Sequence, residues 1–141
     1  MDLKFGYTIS WSPFEEIISR SVEAEKFGFD SLWYHDHLMI PGNAPVFESF
    51  SLLTALATKT NHCKIGQTVM DVSRRHPATI AQYALTLNHI SNGRAFLGLG
   101  AGEAMNLAPL GMDIKKPLRT LREAIQFVKG LLNATKDAPF N

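Results

Sequence analysis

Short apolar runs and helical stripes alternate along the chain. Residues 3–9 read as a first strand. Ser12-Pro13-Phe14-Glu15 then combines a capping hydroxyl, a proline at the first helical position and a glutamate three residues after the cap, which predicts a helix capped by Ser12. Its apolar face is expected to bury Phe14, Ile17, Ile18, Val22 and Phe27, with Gly28 ending it. Residues 31–34 form a second strand, a Pro/Gly/Asn loop spans 41–45, and Phe50, Leu53, Leu56 and Ala57 mark a second helix. Residues 64–69 read as a third strand. His76-Pro77 opens a third helix with Ile80, Tyr83, Ala84, Leu87 and Ile90 on one face, closed by Ser91-Asn92-Gly93. A fourth strand covers 95–98. After a long loop, Leu118, Leu121, Ile125, Val128 and Leu132 make a helical stripe. Periodicity ends near residue 133, so 1–133 is expected to be the folded unit and 134–141 an irregular tail.

The strands begin near residues 3, 31, 64 and 95, and a period of roughly thirty residues is the length of one βα unit. Four such units in a row predict an α/β fold with four parallel strands joined by helical crossovers. Two architectures fit. One is the (βα)4 half of a TIM (β/α)8 barrel, which in full takes ~250 residues. The other is a doubly wound sheet, which needs a reversal of strand order that spacing leaves open. A half-barrel would leave bare edges on its first and fourth strands, so such a chain is expected to form a homo-oligomer or to pair with a complementary half-barrel chain.

Composition narrows the function classes. Fourteen basic and 13 acidic side chains leave a net charge of +1, which provides no electrostatic footprint for nucleic acid or an anionic membrane. No apolar run is long enough for a membrane span, and the first residues are too polar for a secretory core, so a cytoplasmic protein is expected. Cys63 is the only cysteine, which rules out a disulfide framework and a multi-cysteine metal site. Asn133-Ala134-Thr135 matches a glycosylation sequon and reads as chance.

Barrel chemistry sits at the C-terminal ends of strands. After strand two, Trp33-Tyr34-His35-Asp36-His37 offers two imidazoles and a carboxylate, suited to acid/base work or to hydrogen-bonding a cofactor. No further ligand cluster supports a metal there, and loop histidines on the surface are the plainer alternative. After strand three, Arg74-Arg75 could hold an anion near a helix start, although a solvated loop is the favoured reading. After strand four comes Gly98-Leu99-Gly100-Ala101-Gly102-Glu103-Ala104-Met105-Asn106. The third position of a dinucleotide fingerprint is Glu103 here and the stretch follows the fourth strand, so the Rossmann reading fails. What remains is a backbone able to approach a flat ring, followed by a carboxylate and a carboxamide; the structural alternative is a glycine-rich turn packed on the next loop.

Together these residues resemble the luciferase-like superfamily. The resemblance rests on the aspartate-histidine pair after strand two, the arginine-histidine-proline segment, the Ser91-Asn92-Gly93-Arg94 turn and the glycine-rich stretch ending at Glu103, and it runs from residue 3 to about 133. The tail Glu103-Ala104-Met105-Asn106 is similar to the deazaflavin branch, which includes methylenetetrahydromethanopterin reductases and sugar-phosphate dehydrogenases. The resemblance implies an oxidoreductase exchanging hydride between coenzyme F420 and a small-molecule substrate. By carry-over, Glu103 is a proton donor near the ring's N1 edge and His37 a candidate acid/base. Asp36, Gly100 and Gly102 lie at the ring, Asn106 hydrogen-bonds it, and Thr68-Val69 matches the family's non-prolyl cis peptide behind it. Family members are about twice this length, so an isolated half would hold an incomplete site. An FMN-dependent luciferase-like monooxygenase and an inactive fragment serving only as an association partner are the alternatives.

Overall fold

The computed structural model of the chain describes residues 2–40, 44–138 and 140. Four strands, β1 (Gly6–Thr8), β2 (Ser31–Tyr34), β5 (Lys64–Gln67) and β7 (Ala95–Phe96), form one sheet in the order β1-β2-β5-β7. Every pair is parallel, with Gly6 opposite Ser31, Ser31 opposite Lys64 and Ile65 opposite Ala95. The strand order equals the sequence order, with no reversal, which removes the doubly wound alternative.

Residue alternation decides which face is covered. Leu32, Tyr34 and Ile65 point to one face and are fully buried. There they meet Ile17 and Ala24 of α1 (Phe14–Lys26), Leu52, Leu53 and Leu56 of α2 (Ser49–Ala57), and Leu87 of α3 (Pro77–Ile90). The other face carries Trp33 stacked on Phe96 at 5.7 Å, and Phe96 is 46 % exposed. Helices on one face and aromatic rings on the other are the outside and inside, respectively, of a barrel wall. The fold is therefore α/β with a parallel sheet, part of a TIM barrel.

Two expected strands are interrupted. The third ends at Gln67, the Thr68–Val69 peptide is cis, and β6 (Met70–Asp71) resumes beside β8 (Leu99–Gly100), which likewise follows β7 after a gap. A small second sheet thus leans off the C-terminal ends of β5 and β7. A second core gathers under it from Phe50, Met70, Val72, Ile80, Ala81, Ala124 and Val128. Met39–Ile40 (β3) and Ala44–Pro45 (β4) pair antiparallel where a loop was expected; 41–43, the rest of that loop, lie outside the described residues.

Local punctuation is partly as expected. Gly28, at φ +92°, ends α1, and Phe29 donates back to the Ala24 carbonyl. The N-cap of α1 is Pro13, not Ser12, and no side chain caps it. Phe27 is 84 % exposed and Phe14 also lies at the surface. The buried places on that helix go to the expected Ile17, to the small Ser21 and Ala24, which let it sit close to the sheet, and to Glu25, whose carboxylate accepts main-chain N–H groups. In α5 (Pro117–Leu132), only Ala124 and Val128 are buried, against α3, while Leu118, Ile125 and Leu132 are exposed. After Asn133 there is no helix or strand among the described residues, and the ring of Phe140 turns back onto Phe127 at 4.8 Å.

Candidate active site

The C-terminal ends of β2, β5 and β7 converge on a cleft of about 280 Å³, lined by Asp36, His37, Thr68, Val69, Asp71, Gly100, Ala101, Gly102, Glu103 and Asn106. All eight residues expected at the site are brought together here, and Asp71 joins them without having been expected. They reach it by different routes. His37 follows β2 on its inward face, in line with Trp33 and His35, whereas Asp36 points outward between them. Thr68 and Val69 sit in the break between β5 and β6, and Val69 is 52 % exposed on the cleft wall. Glu103 precedes the short α4 (Ala104–Leu107), which carries Asn106.

The Asp36 carboxylate is buried and fully occupied. Ser49 Oγ donates to it at 2.6 Å and Arg75 Nη1 at 2.6 Å, and Arg74 Nη2 donates to both its carboxylate and its carbonyl. Arg74 Nε also donates to Asp71, and Arg75 Nη2 reaches Glu48 at 3.0 Å. Burial pushes the Glu48 carboxyl up, but the N–H groups of Ser51 and Phe50 and the Arg75 charge outweigh it and hold the group below its ordinary value. The expectation of a solvated arginine pair is corrected: their side chains are only 9 % and 15 % exposed and they clamp three carboxylates behind the cleft. Two acidic residues at strand ends, Asp36 and Asp71, were the only hint in the sequence, since they are possible partners for buried arginines.

At the mouth, one carboxamide joins the two expected catalytic groups. Asn106 Nδ2 donates to Glu103 Oε2 at 3.0 Å and lies 3.2 Å from His37 Nδ1. His37 Nε2 is 3.9 Å from the same Glu103 oxygen. The ring of Trp11 stands 5.4 Å from His35 and 5.8 Å from His37. Burial lowers the pKa of His35, nearby His37 adds to this, and Glu103 opposes it.

The fold itself also demands glycine in this stretch. A Cβ at Gly98 would lie 2.3 Å from the Gln67 carbonyl oxygen, and one at Gly100 would lie 2.6 Å from Val69 Cγ2. Close approach to the chain's own 67–69 segment already demands glycine there.

Away from the cleft, Glu25, His62 and Cys63 bring potential ligand atoms within 4.8 Å of one another. The geometry argues against a cation. The Glu25 carboxylate accepts the N–H groups of Asn61, His62 and Cys63 at 2.8–3.0 Å. Burial, reinforced by Glu25, pushes the Cys63 thiol up to about 11, and it donates to the Phe29 carbonyl. No helix among the described residues is long and apolar enough to cross a membrane.

With this geometry in hand, the similarities are specific. The luciferase-like monooxygenase family matches residues 4–139. A 5,10-methylenetetrahydromethanopterin reductase of Methanolobus tindarius is 40 % identical over 113 residues, 80 % of this chain and 33 % of that protein. An F420-dependent glucose-6-phosphate dehydrogenase of Kineococcus radiotolerans is 35 % identical over 139 residues, 92 % of this chain and 41 % of that protein. Among solved structures, an F420-dependent secondary alcohol dehydrogenase in complex with an F420-acetone adduct superposes with a TM-score of 0.86 at 30 % identity, covering 96 % of this chain and 44 % of that one. The chain therefore spans less than half the length of these relatives. It belongs to the luciferase-like monooxygenase family, in the branch of F420-dependent oxidoreductases.

Proposed function

We propose that the cleft is the substrate-side part of a coenzyme F420 site and that the chain contributes it to hydride exchange with a small molecule. The observation that carries this reading is the hydrogen-bonded group His37–Asn106–Glu103 at the mouth of a cleft walled by Val69 and glycine backbone. The residues present fit a flat ring with one polar edge: an apolar wall, with a carboxyl, a carboxamide and an imidazole on one side. The cleft is just under the ~300–1,000 Å³ common for ligand pockets, which suits part of a large cofactor and not the whole of it.

When bound, F420 supplies hydride exchange at C5 of its ring. Glu103, more than half exposed at the mouth, exchanges the proton that accompanies hydride movement. His37 hydrogen-bonds the reacting group of the substrate, Thr68 and Val69 back the ring, and Asp36 fixes the segment that carries His37. The remaining strands of the barrel, which the relatives carry in their other half, complete the site.

The FMN-dependent monooxygenase is the second reading. Identity of 35–40 % to F420 enzymes favours the deazaflavin, as does Glu103, because a peroxyflavin site has no evident use for that carboxyl. Titration of F420 with the chain, followed by the cofactor's fluorescence, should give saturable binding that FMN does not compete away. In a barrel reconstituted with a complementary half, Glu103→Gln should lower turnover ~10²–10⁴-fold while affinity changes far less. Unchanged turnover would remove the proton-exchange role, and no saturable binding in either form would leave an inactive association partner.

A further inference from the structure

We propose that Asn106 is a positioning residue that holds neutral His37 as its Nε2–H tautomer, with Glu103 dictating which way the carboxamide faces. The consequence for hydride chemistry rests on the function proposed above; the tautomer itself does not.

An asparagine amide has one donor end with two hydrogens and one acceptor end. Here a single end meets two groups, Glu103 Oε2 at 3.0 Å and His37 Nδ1 at 3.2 Å, and Asn106 is 8 % exposed. A carboxylate can only accept, so with Glu103 ionised the NH₂ end must face it; turning the amide over would set oxygen against oxygen. The second hydrogen of that NH₂ then points at His37 Nδ1, which has to accept it. A neutral imidazole whose Nδ1 accepts carries its proton on Nε2. That N–H faces the Glu103 oxygen, 3.9 Å away, across the mouth of the cleft.

The other groups around the ring do not compete for Nδ1. Trp11 and His35 approach as rings, at 5.8 and 5.7 Å between centroids, and the Asp36 carboxylate is taken up by Ser49, Arg74 and Arg75.

His37 thereby presents a hydrogen-bond donor to the substrate position. It polarises a substrate oxygen or nitrogen lone pair without itself carrying a proton away, and Glu103 alone exchanges the proton. The substrate class this selects is one with such a lone pair on, or next to, the carbon that exchanges hydride.

The test is nitrogen-15 NMR of the imidazoles in the full chain at a pH of about 9, well above the ordinary histidine value of ~6.5. Long-range proton–nitrogen correlations should show His37 Nδ1 as the unprotonated nitrogen and Nε2 as the protonated one. Asn106→Asp replaces the donor by an acceptor and should reverse the two resonances. Glu103→Ala, a change at an exposed side chain, should free the carboxamide and leave a mixture even if the aspartate variant does not fold. Nδ1–H in the unsubstituted chain, or an unchanged Nε2–H in Glu103→Ala, overturns the proposal. An Nε2–H tautomer without F420 binding leaves the assignment standing and sinks the proposed function; F420 binding with an Nδ1–H tautomer does the reverse.

Discussion

The two ends of the sheet both bury charge, and they satisfy it in opposite ways. At the N-terminal end, Glu25 is held by three main-chain N–H groups, and Arg94 has no carboxylate partner among the described residues. Arg94 donates to the carbonyls of Ala57, Thr60, Cys63 and Ser91 at 2.7–2.9 Å and to the Thr60 hydroxyl at 3.0 Å. At the C-terminal end, Asp36, Arg74, Arg75, Asp71 and Glu48 satisfy one another largely through side chains, with main-chain groups in support. Main-chain partners cannot be substituted away, so the lower end is committed to one geometry. Side-chain partners can change together, which leaves the upper end open to different chemistry on the same frame.

The largest expected effect is at Arg94. Arg94→Met leaves the carbonyls that close α2 and α3 buried without donors and should cost about 3–5 kcal/mol. Against a typical ~5–15 kcal/mol for a whole domain, that is a large share of the stability, and the urea midpoint should fall accordingly. A midpoint unchanged within error would mean that water replaces the guanidinium and that the contrast between the two ends is false.

Glu25→Gln comes next, at about 1.5–3 kcal/mol, the range for hydrogen bonds to a charged group. Burial raises the Glu25 carboxyl, and the N–H groups of Cys63, His62 and Asn61 together with nearby His62 bring it below its ordinary value. Because the folded value is the lower one, its contribution is full above the unfolded value of ~4.3 and is lost as pH falls through the folded value. Urea midpoints measured across that acid range should fall less steeply in the glutamine variant than in the original chain.

The smallest effect sharpens the upper end. Asp36→Asn and Arg75→Met should each destabilise, but the double variant should cost less than their sum by about 1 kcal/mol or more, since each single change strands the other's charge. Strict additivity in that cycle would mean that the clamp is not a unit.

These contrasts mark where the sequence could be read. The strands at 31–34 and 95–96 and the α2 residues Phe50, Leu53, Leu56 and Ala57 were legible, because burial on one face imposes a period that a single chain displays. The cleft was legible through strand-end position, which put His37, Glu103 and Asn106 together before any geometry was known. The arginine clamp was not, since Arg74-Arg75 has the same local appearance whether its acidic partner lies in solvent or 38 residues away at Asp36. Phe27 and Leu118 have the spacing of core residues yet face outward, because periodicity reports a stripe and not what covers it. Glycines 98 and 100 were read as room for a ligand, and the contact with residues 67–69 adds a packing reason that the sequence did not display.

That contact also gives the glycine stretch a history. The obstacle at Gly100 is a side chain, Val69, whereas the obstacle at Gly98 is the Gln67 carbonyl. A larger residue at 100 becomes admissible once position 69 has shrunk, so these two positions can drift only in a fixed order, like the teeth of a ratchet. No replacement at 67 moves a main-chain oxygen, and position 98 has no such path. Among descendants of this chain, 69 and 100 should vary as a linked pair, while 98 stays fixed whatever cofactor or substrate the cleft comes to hold.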